Sequence, residues 1–317
     1  MSMWYPASGP ARDPVSVADL LRLALFEDPD LEADADAVSL SLTLTGESAS
    51  IDTETARAAL RSPVAATRDA RPAAGPFPIV VWGVRHATVL AQAPLSQLLA
   101  SRGAVVITAW SSDEPLAFVW EDVPSEDKRA TIDAHAEDLA HALSVIRAEP
   151  FADTDRAVSI AWSYGGQTAA KLMTLADRVG AAVSLDANVL PDLPEESLYL
   201  RGTTVLFVGQ DTTRRGLEQL AGLGRPWLRV SFADFMHGHF NAMEGYLPAL
   251  LGARVGFPWS DLGPQARHGY PALATMTARL VEALAAAPST PPGELARTLT
   301  ERDGVDAEVR TSPARPD

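Results

Sequence analysis

From residue 77 onward the chain alternates between short apolar runs and stretches with helical periodicity. Residues 78–82, 104–108, 157–161, 181–185, 204–208 and 227–232 are rich in Val, Ile, Leu, Ala, Phe and Trp. They have the length and apolar character of strands buried on both faces. Residues 90–101 read as a helix closed by Gly103. Residues 125–148 read as a long helix, with Ile132, Ala136, Leu139, Leu143 and Ile146 on one stripe. A helix-forming run follows at 168–175, and 271–286 reads as the last helix. Strands alternating with helices predict an α/β protein, with a mostly parallel central sheet flanked by helices and residues 227–232 as its last strand.

The part before residue 77 has a different pattern. Residues 2–5 are short, aromatic and closed by Pro6, which fits an edge strand. Residues 17–26 read as a helix that Ser16 can cap and Asp28-Pro29-Asp30 stops. Residues 38–44 alternate apolar and polar, the period of a strand, with a short helix as the alternative. Residues 52–60 read as a helix ended by Ser62-Pro63, and 67–78 as a linker rich in Pro, Gly and Ala. The expected organisation is therefore an N-terminal edge strand in 1–13, a cap or insertion in 14–76, the core in 77–287 and a flexible tail in 288–317. Within the core, 242–262, with Met243, Tyr246, Leu247 and Leu250, is the candidate lid.

Composition narrows the function. The chain has 317 residues, enough for one large α/β core with an insertion. It contains no cysteine, which rules out disulfides, thiolate metal sites and a cysteine nucleophile. Its formal net charge is −15, and Lys128 and Lys171 are its only lysines. Such a surface repels phosphates, so nucleic acid and anionic lipid are not expected partners. No stretch reaches the ~20 apolar residues of a membrane span. The N-terminal residues Met1-Ser2-Met3-Trp4-Tyr5-Pro6 lack a basic start followed by an apolar run, so the expectation is a cytoplasmic protein; a trimmed secreted form would look the same. Oligomeric state is left open.

The chemistry gathers around Ala161-Trp162-Ser163-Tyr164-Gly165-Gly166. A buried strand runs into a serine, then two glycines, then a helix, the layout of a nucleophile elbow. The turn is tight, so the residues two before and two after the serine must be small. Gly165 fills one place; Ala161 fills the other, where the usual pattern has glycine. In a parallel sheet, chemistry sits at the carboxyl ends of the strands. Ser163, Asp186, and the pair His237 and His239 all directly follow strands, and Asp211 follows the strand at 204–208. The order Ser, Asp, His is that of the α/β-hydrolases. A His-x-His pair can also bind a metal, but no third ligand cluster accompanies it, so no metal is assigned.

These segments resemble the α/β-hydrolases, and within them the platelet-activating-factor acetylhydrolase-like and dienelactone-hydrolase-like bacterial esterases. Phe77-Pro78-Ile79-Val80-Val81 resembles the strand leading into the oxyanion loop. Trp162-Ser163-Tyr164-Gly165-Gly166 resembles the elbow, Leu185-Asp186-Ala187 the acid segment, and His237-Gly238-His239-Phe240 the His-x-x-Phe segment. Trp4-Tyr5-Pro6-Ala7 resembles a strand near the N-terminus of these esterases. The likeness covers a little over half the chain. It implies an α/β-hydrolase fold, with Ser163 as nucleophile, His237 as base in preference to His239, and Asp186 as acid in preference to Asp211. It also implies oxyanion donors from the backbone of Tyr164 and of Arg85 or His86. The family often has His-Gly and a further glycine in that loop, where this chain reads Gly83-Val84-Arg85-His86-Ala87.

The expected activity is hydrolysis of a carboxylic ester through an acyl-enzyme, without a cofactor. Its substrate would be a small ester with an apolar part, because Trp82, Trp110 and Trp162 fall at strand ends near the site and could line an apolar pocket. The same residues could serve an acyltransferase or thioesterase, and a non-catalytic relative that binds an apolar ligand is the alternative from another class. His135 and His141, on the long helix, are expected at the surface.

Overall fold

The computed structural model describes residues 1–9, 13–24, 53–83, 89–109, 125–163, 165–186, 203–209, 227–232, 235–242, 269–300 and 307–311. An eight-stranded sheet forms its centre. Six strands run parallel: β4 (Phe77–Gly83), β5 (Val105–Thr108), β6 (Ala152–Trp162), β7 (Val179–Leu185), β8 (Thr204–Val208) and β9 (Trp227–Phe232). An antiparallel strand closes each edge. On one side β1 (Ser2–Trp4) pairs with β5; on the other β10 (Ala307–Thr311) pairs with β9. The order is β1-β5-β4-β6-β7-β8-β9-β10, so the direction of winding reverses at β4. A crevice at the carboxyl ends is expected at such a point.

Alternation of side chains sends each strand into two cores. Val80 and Trp82 of β4 join Val158 and Ile160 of β6 on one face. That face is covered by α3 (Val89–Ser101), through Ala93, Leu95 and Leu99, and by α6 (Tyr270–Ala286), through Leu273, Met276, Leu280 and Leu284. Ile79, Val81 and Ala157 point the other way, toward α4 (Ser125–Ile146) and α5 (Gly165–Leu175). The stripe Ile132, Ala136, Leu139, Leu143 and Ile146 of α4 is buried there, as its spacing predicts. His135 is buried too, contrary to expectation. Its Nε2 lies 2.9 Å from the Ala109 carbonyl oxygen, a polar contact that makes burial of the imidazole tolerable. His141 is exposed.

Among the described residues of 14–76, β2 (Pro14–Ser16) and β3 (Pro63–Thr67) form a separate two-stranded sheet. Between them in the chain lie α1 (Val17–Ala24) and α2 (Thr53–Leu60). Ser16 caps α1 reciprocally: Asp19 N–H donates to Ser16 Oγ at 3.2 Å, and Ser16 N–H donates to Asp19 Oδ2 at 2.8 Å. Val17, Leu20, Ala59 and Leu60 are buried against the main core. The alternating segment 38–44 and most of the candidate lid at 242–262 lie outside the described residues.

The end of the chain corrects two expectations. Residues 292–300 and 307–311 are not a loose tail, and β9 is not the last strand. Pro292–Thr300 forms α7, which buries Leu295 and Leu299, four residues apart on one face. β10 then adds to the sheet edge, with Val309 opposite Val230. An edge strand is held largely by its backbone ladder, so a polar sequence such as Ala-Glu-Val-Arg-Thr suffices.

Candidate active site

The sheet delivers three side chains to its carboxyl edge. Ser163 follows β6 directly, with φ +55°. That left-handed conformation costs a non-glycine residue about 1–2 kcal/mol. It is held by the Ser163 N–H, which donates to Leu185 O at 3.4 Å, and by the Gly166 N–H, which donates to Ser163 O at 3.1 Å. Helix α5 starts at Gly165, earlier than residue 168, because both glycines are buried in its first turn.

Gly83 explains how Ala161 is accommodated. It is the partner of Ala161 in the β4–β6 register. A Cβ on Gly83 would stand 3.0 Å from Gly165 O, 3.5 Å from Ala169 N and 3.6 Å from the Ala161 Cβ. The bare backbone at 83 lets helix and strand approach closely around the Ala161 methyl. The room that the elbow usually gains from a glycine within its own strand is gained here from the neighbouring strand.

Asp186 follows β7 and is also left-handed, with φ +49°. Its N–H donates to Phe207 O at 2.8 Å. The residue is only 4% exposed. Its carboxylate accepts the Gly209 N–H on Oδ1 at 2.9 Å and His237 Nδ1 on Oδ2 at 2.7 Å. A carboxylate can only accept, so the imidazole hydrogen sits on Nδ1 and Nε2 is left as an acceptor. Nε2 lies 2.9 Å from Ser163 Oγ. The three residues thus form one directional chain, from serine hydroxyl through imidazole to carboxylate, able to take up a proton from Ser163.

His237 opens a short 3₁₀ helix, His237–Phe240. Phe240 anchors it: the ring is buried against Phe232 and Phe235 in an aromatic cluster that includes Phe207. This gives the His-x-x-Phe spacing a physical meaning, since the phenylalanine fixes the turn whose first residue carries the imidazole. His239 faces elsewhere. Its Nδ1 accepts the Met236 N–H at 3.1 Å, and its ring meets Phe235 edge-on.

The tryptophans divide. Trp82, expected on a pocket wall, is 3% exposed and packs in the core, where it offers a ligand almost no surface. Trp162 lays its indole on the imidazole of His237, with ring centroids 5.0 Å apart and planes at 23°. Its Nε1–H donates to the His237 carbonyl oxygen at 3.2 Å. Trp110, Asp211, Tyr164, Arg85 and His86 lie outside the described residues. Three contacts were not singled out from sequence: the close approach at Gly83, the Gly209 N–H on Asp186 and the stack of Trp162 on His237. Glycine directly after a strand was a visible signal for the first two. Among the described residues no group of His, Asp or Glu is placed to hold a metal ion, and no helix is long and apolar enough to cross a membrane.

No family model and no curated protein matches this sequence. Solved structures do match. A ferulic acid esterase from Streptomyces cinnamoneus superposes with a TM-score of 0.63 at 20% identity, over 98% of this chain and 88% of that one. A dienelactone hydrolase-like promiscuous phosphotriesterase from metagenomic libraries matches at 18% identity with a TM-score of 0.48, over 67% of this chain and 88% of that one. At 20% identity the likeness to the esterase structure is one of fold, and it agrees with the strand order and flanking helices: the chain has the α/β-hydrolase fold.

Proposed function

We propose that the protein is a serine hydrolase that cleaves carboxylic esters through an acyl-enzyme. The observation that carries this reading is the hydrogen-bonded chain Ser163–His237–Asp186, set on a left-handed serine at the end of a central strand. A serine hydroxyl is a weak nucleophile until a base removes its proton. Here His237 Nε2 takes that proton as Oγ bonds to the acyl carbon, and the carbonyl π electrons move onto oxygen. The resulting oxyanion is assigned to the backbone N–H groups of Tyr164 and of Arg85 or His86. The protonated Nε2 then gives its proton to the departing alkoxide, leaving an acyl-Ser163. Water, deprotonated by the same nitrogen, then bonds to the acyl carbon; the Ser163 Oγ–acyl bond breaks, the acid departs, and the Nε2 proton returns to Oγ. Asp186 holds the imidazole in the required tautomer and stabilises its protonated form. No cofactor takes part in this sequence of steps.

Support for an ester with an apolar part comes from the surroundings of His237. Met236 precedes it and is 52% exposed. An apolar side chain so open next to the reacting groups suits contact with an acyl or alcohol group. The fold neighbour named an esterase fits the same reaction class.

The test is intact mass after exposure to a small fluorophosphonate, which mimics the tetrahedral intermediate. The expected result is one adduct on the native protein and none on Ser163→Ala, followed by turnover of a chain-length series of esters. Absence of an adduct on the native protein, or an adduct that persists in Ser163→Ala, overturns the reading.

A further inference from the structure

We infer that Trp162 is a positioning residue for His237, acting on the imidazole through both its ring and its N–H. The inference rests on the serine-hydrolase reading and deepens it. Three observations carry it. First, the edges of the imidazole are held by Asp186 and Ser163, but neither contact fixes the face of the ring. The His237 side chain is 41% exposed, so packing does not lock it by enclosure. The indole of Trp162 supplies the face, stacked at 5.0 Å and 23°. Second, the turn that carries His237 is four residues long: the His239 Nδ1 accepts the Met236 N–H at its start, and Phe240 anchors its end. The Trp162 Nε1–H bond to the His237 carbonyl ties down the first residue of that turn. Third, Trp162 is covalently next to Ser163. One residue therefore sets the nucleophile through its backbone and meets the base through its side chain.

The stack has an electronic consequence. Imidazole becomes imidazolium each time it takes the serine proton. The face of an indole attracts a cation through its negative quadrupole. Trp162 thus favours the protonated form that arises at the tetrahedral intermediate, alongside the carboxylate of Asp186. An apolar pocket wall would contribute nothing at this step, and this separates the positioning role from the substrate contact expected for a tryptophan at this position.

The test compares native protein, Trp162→Phe and Trp162→Leu in two readouts. Titration of the His237 imidazole is followed by NMR, which requires no turnover, and kcat and KM are measured on a p-nitrophenyl ester across pH. Phenylalanine keeps a ring on the imidazole but removes the N–H donor; leucine removes both. Trp162→Phe is expected to titrate near the native midpoint and to lose about 3–10-fold in kcat, the worth of one hydrogen bond. Trp162→Leu is expected to lose more in kcat with KM little changed, and its imidazole midpoint is expected to move to lower pH by about half a unit. A raised KM with kcat and the titration unchanged would make Trp162 a pocket wall and overturn the inference, as would no change in either variant. Should Trp162→Leu fail to fold, Trp162→Met fills the gap flexibly and carries the same readouts. A native protein that takes no fluorophosphonate refutes the hydrolase reading, yet the NMR midpoints still decide whether Trp162 governs His237.

Discussion

Replacing Asp186 by Asn removes one charge and no volume, so its cost is set by the hydrogen bonds around the carboxylate. Asp186 Oδ1 accepts the Gly209 N–H at 2.9 Å, while Oδ2 accepts from His237 Nδ1 at 2.7 Å. An asparagine has one acceptor and one donor end. If its oxygen stays with Gly209, its NH₂ faces Nδ1. The imidazole must then carry its hydrogen on Nε2 and cannot accept the serine proton. If the amide turns over, a buried N–H meets an NH₂, which costs about 1–3 kcal/mol. In either orientation the charge that stabilises the imidazolium is gone, worth roughly a further 1.5–3 kcal/mol as a charge-assisted bond. Together these put the loss at roughly 2.5–6 kcal/mol, or about 10²–10⁴-fold in rate. The assay is kcat/KM on an activated ester for native protein, Asp186→Asn and Asp211→Asn, with a melting curve for each to confirm folding. Asp211→Asn is expected to leave the rate within a few-fold of native. Activity of Asp186→Asn within tenfold of native, or loss in Asp211→Asn instead, refutes the argument.

Two further substitutions test the local backbone. Ser163→Gly replaces a left-handed serine by the residue that accepts φ +55° without steric cost, which offsets the lost Oγ–His237 contact and the freedom of glycine in the unfolded chain, so stability should stay within about 1 kcal/mol of native while turnover is abolished; a loss well beyond that in denaturant unfolding refutes the strain argument. Gly83→Ala puts a Cβ 3.0 Å from the backbone oxygen of Gly165 and forces the start of α5 to move by a few tenths of an ångström. The expected cost is about 1–3 kcal/mol in thermal unfolding, with a fall in kcat because the displaced segment carries the elbow; unchanged melting would show that the helix yields freely.

The parts of this fold that could be read from sequence are those where side-chain burial sets the pattern. Strands β5 and β8 show as apolar runs because both of their faces are buried, whereas β9 alternates, with Leu228, Val230 and Phe232 buried and Trp227, Arg229 and Ser231 half-buried. The stripe on α4 shows because one helix face lies on the sheet. The same logic, applied to position rather than residue type, places His135 beside Ala136 and one turn from Ile132 and Leu139, on the buried face; its polar identity hid this. At β10 a backbone ladder holds a sequence with little apolar content. Leu295 and Leu299 were a visible pair on one helical face, masked by polar neighbours and the prolines before them. At the site, strand ends picked out where side chains gather. Order along the chain could not choose between histidines two residues apart, nor between acids on adjacent strands. That choice depends on which way a turn faces: here the His237 ring meets Ser163 and Asp186, while the His239 ring lies against Phe235.

The order of strands also divides the site by how firmly it is held. Ser163 and Asp186 follow β6 and β7, neighbours in the interior of the sheet. His237 follows β9, which has only the short β10 between it and the sheet edge. Sheets open from their edges, by sub-global steps that cost less than complete unfolding. Release of β10 and fraying of β9 would carry the imidazole away while the nucleophile and the acid stayed in register. If the proposed reaction holds, activity would be lost through a partial excursion before the protein melts, and the working temperature would be set by an edge of the sheet instead of by its core.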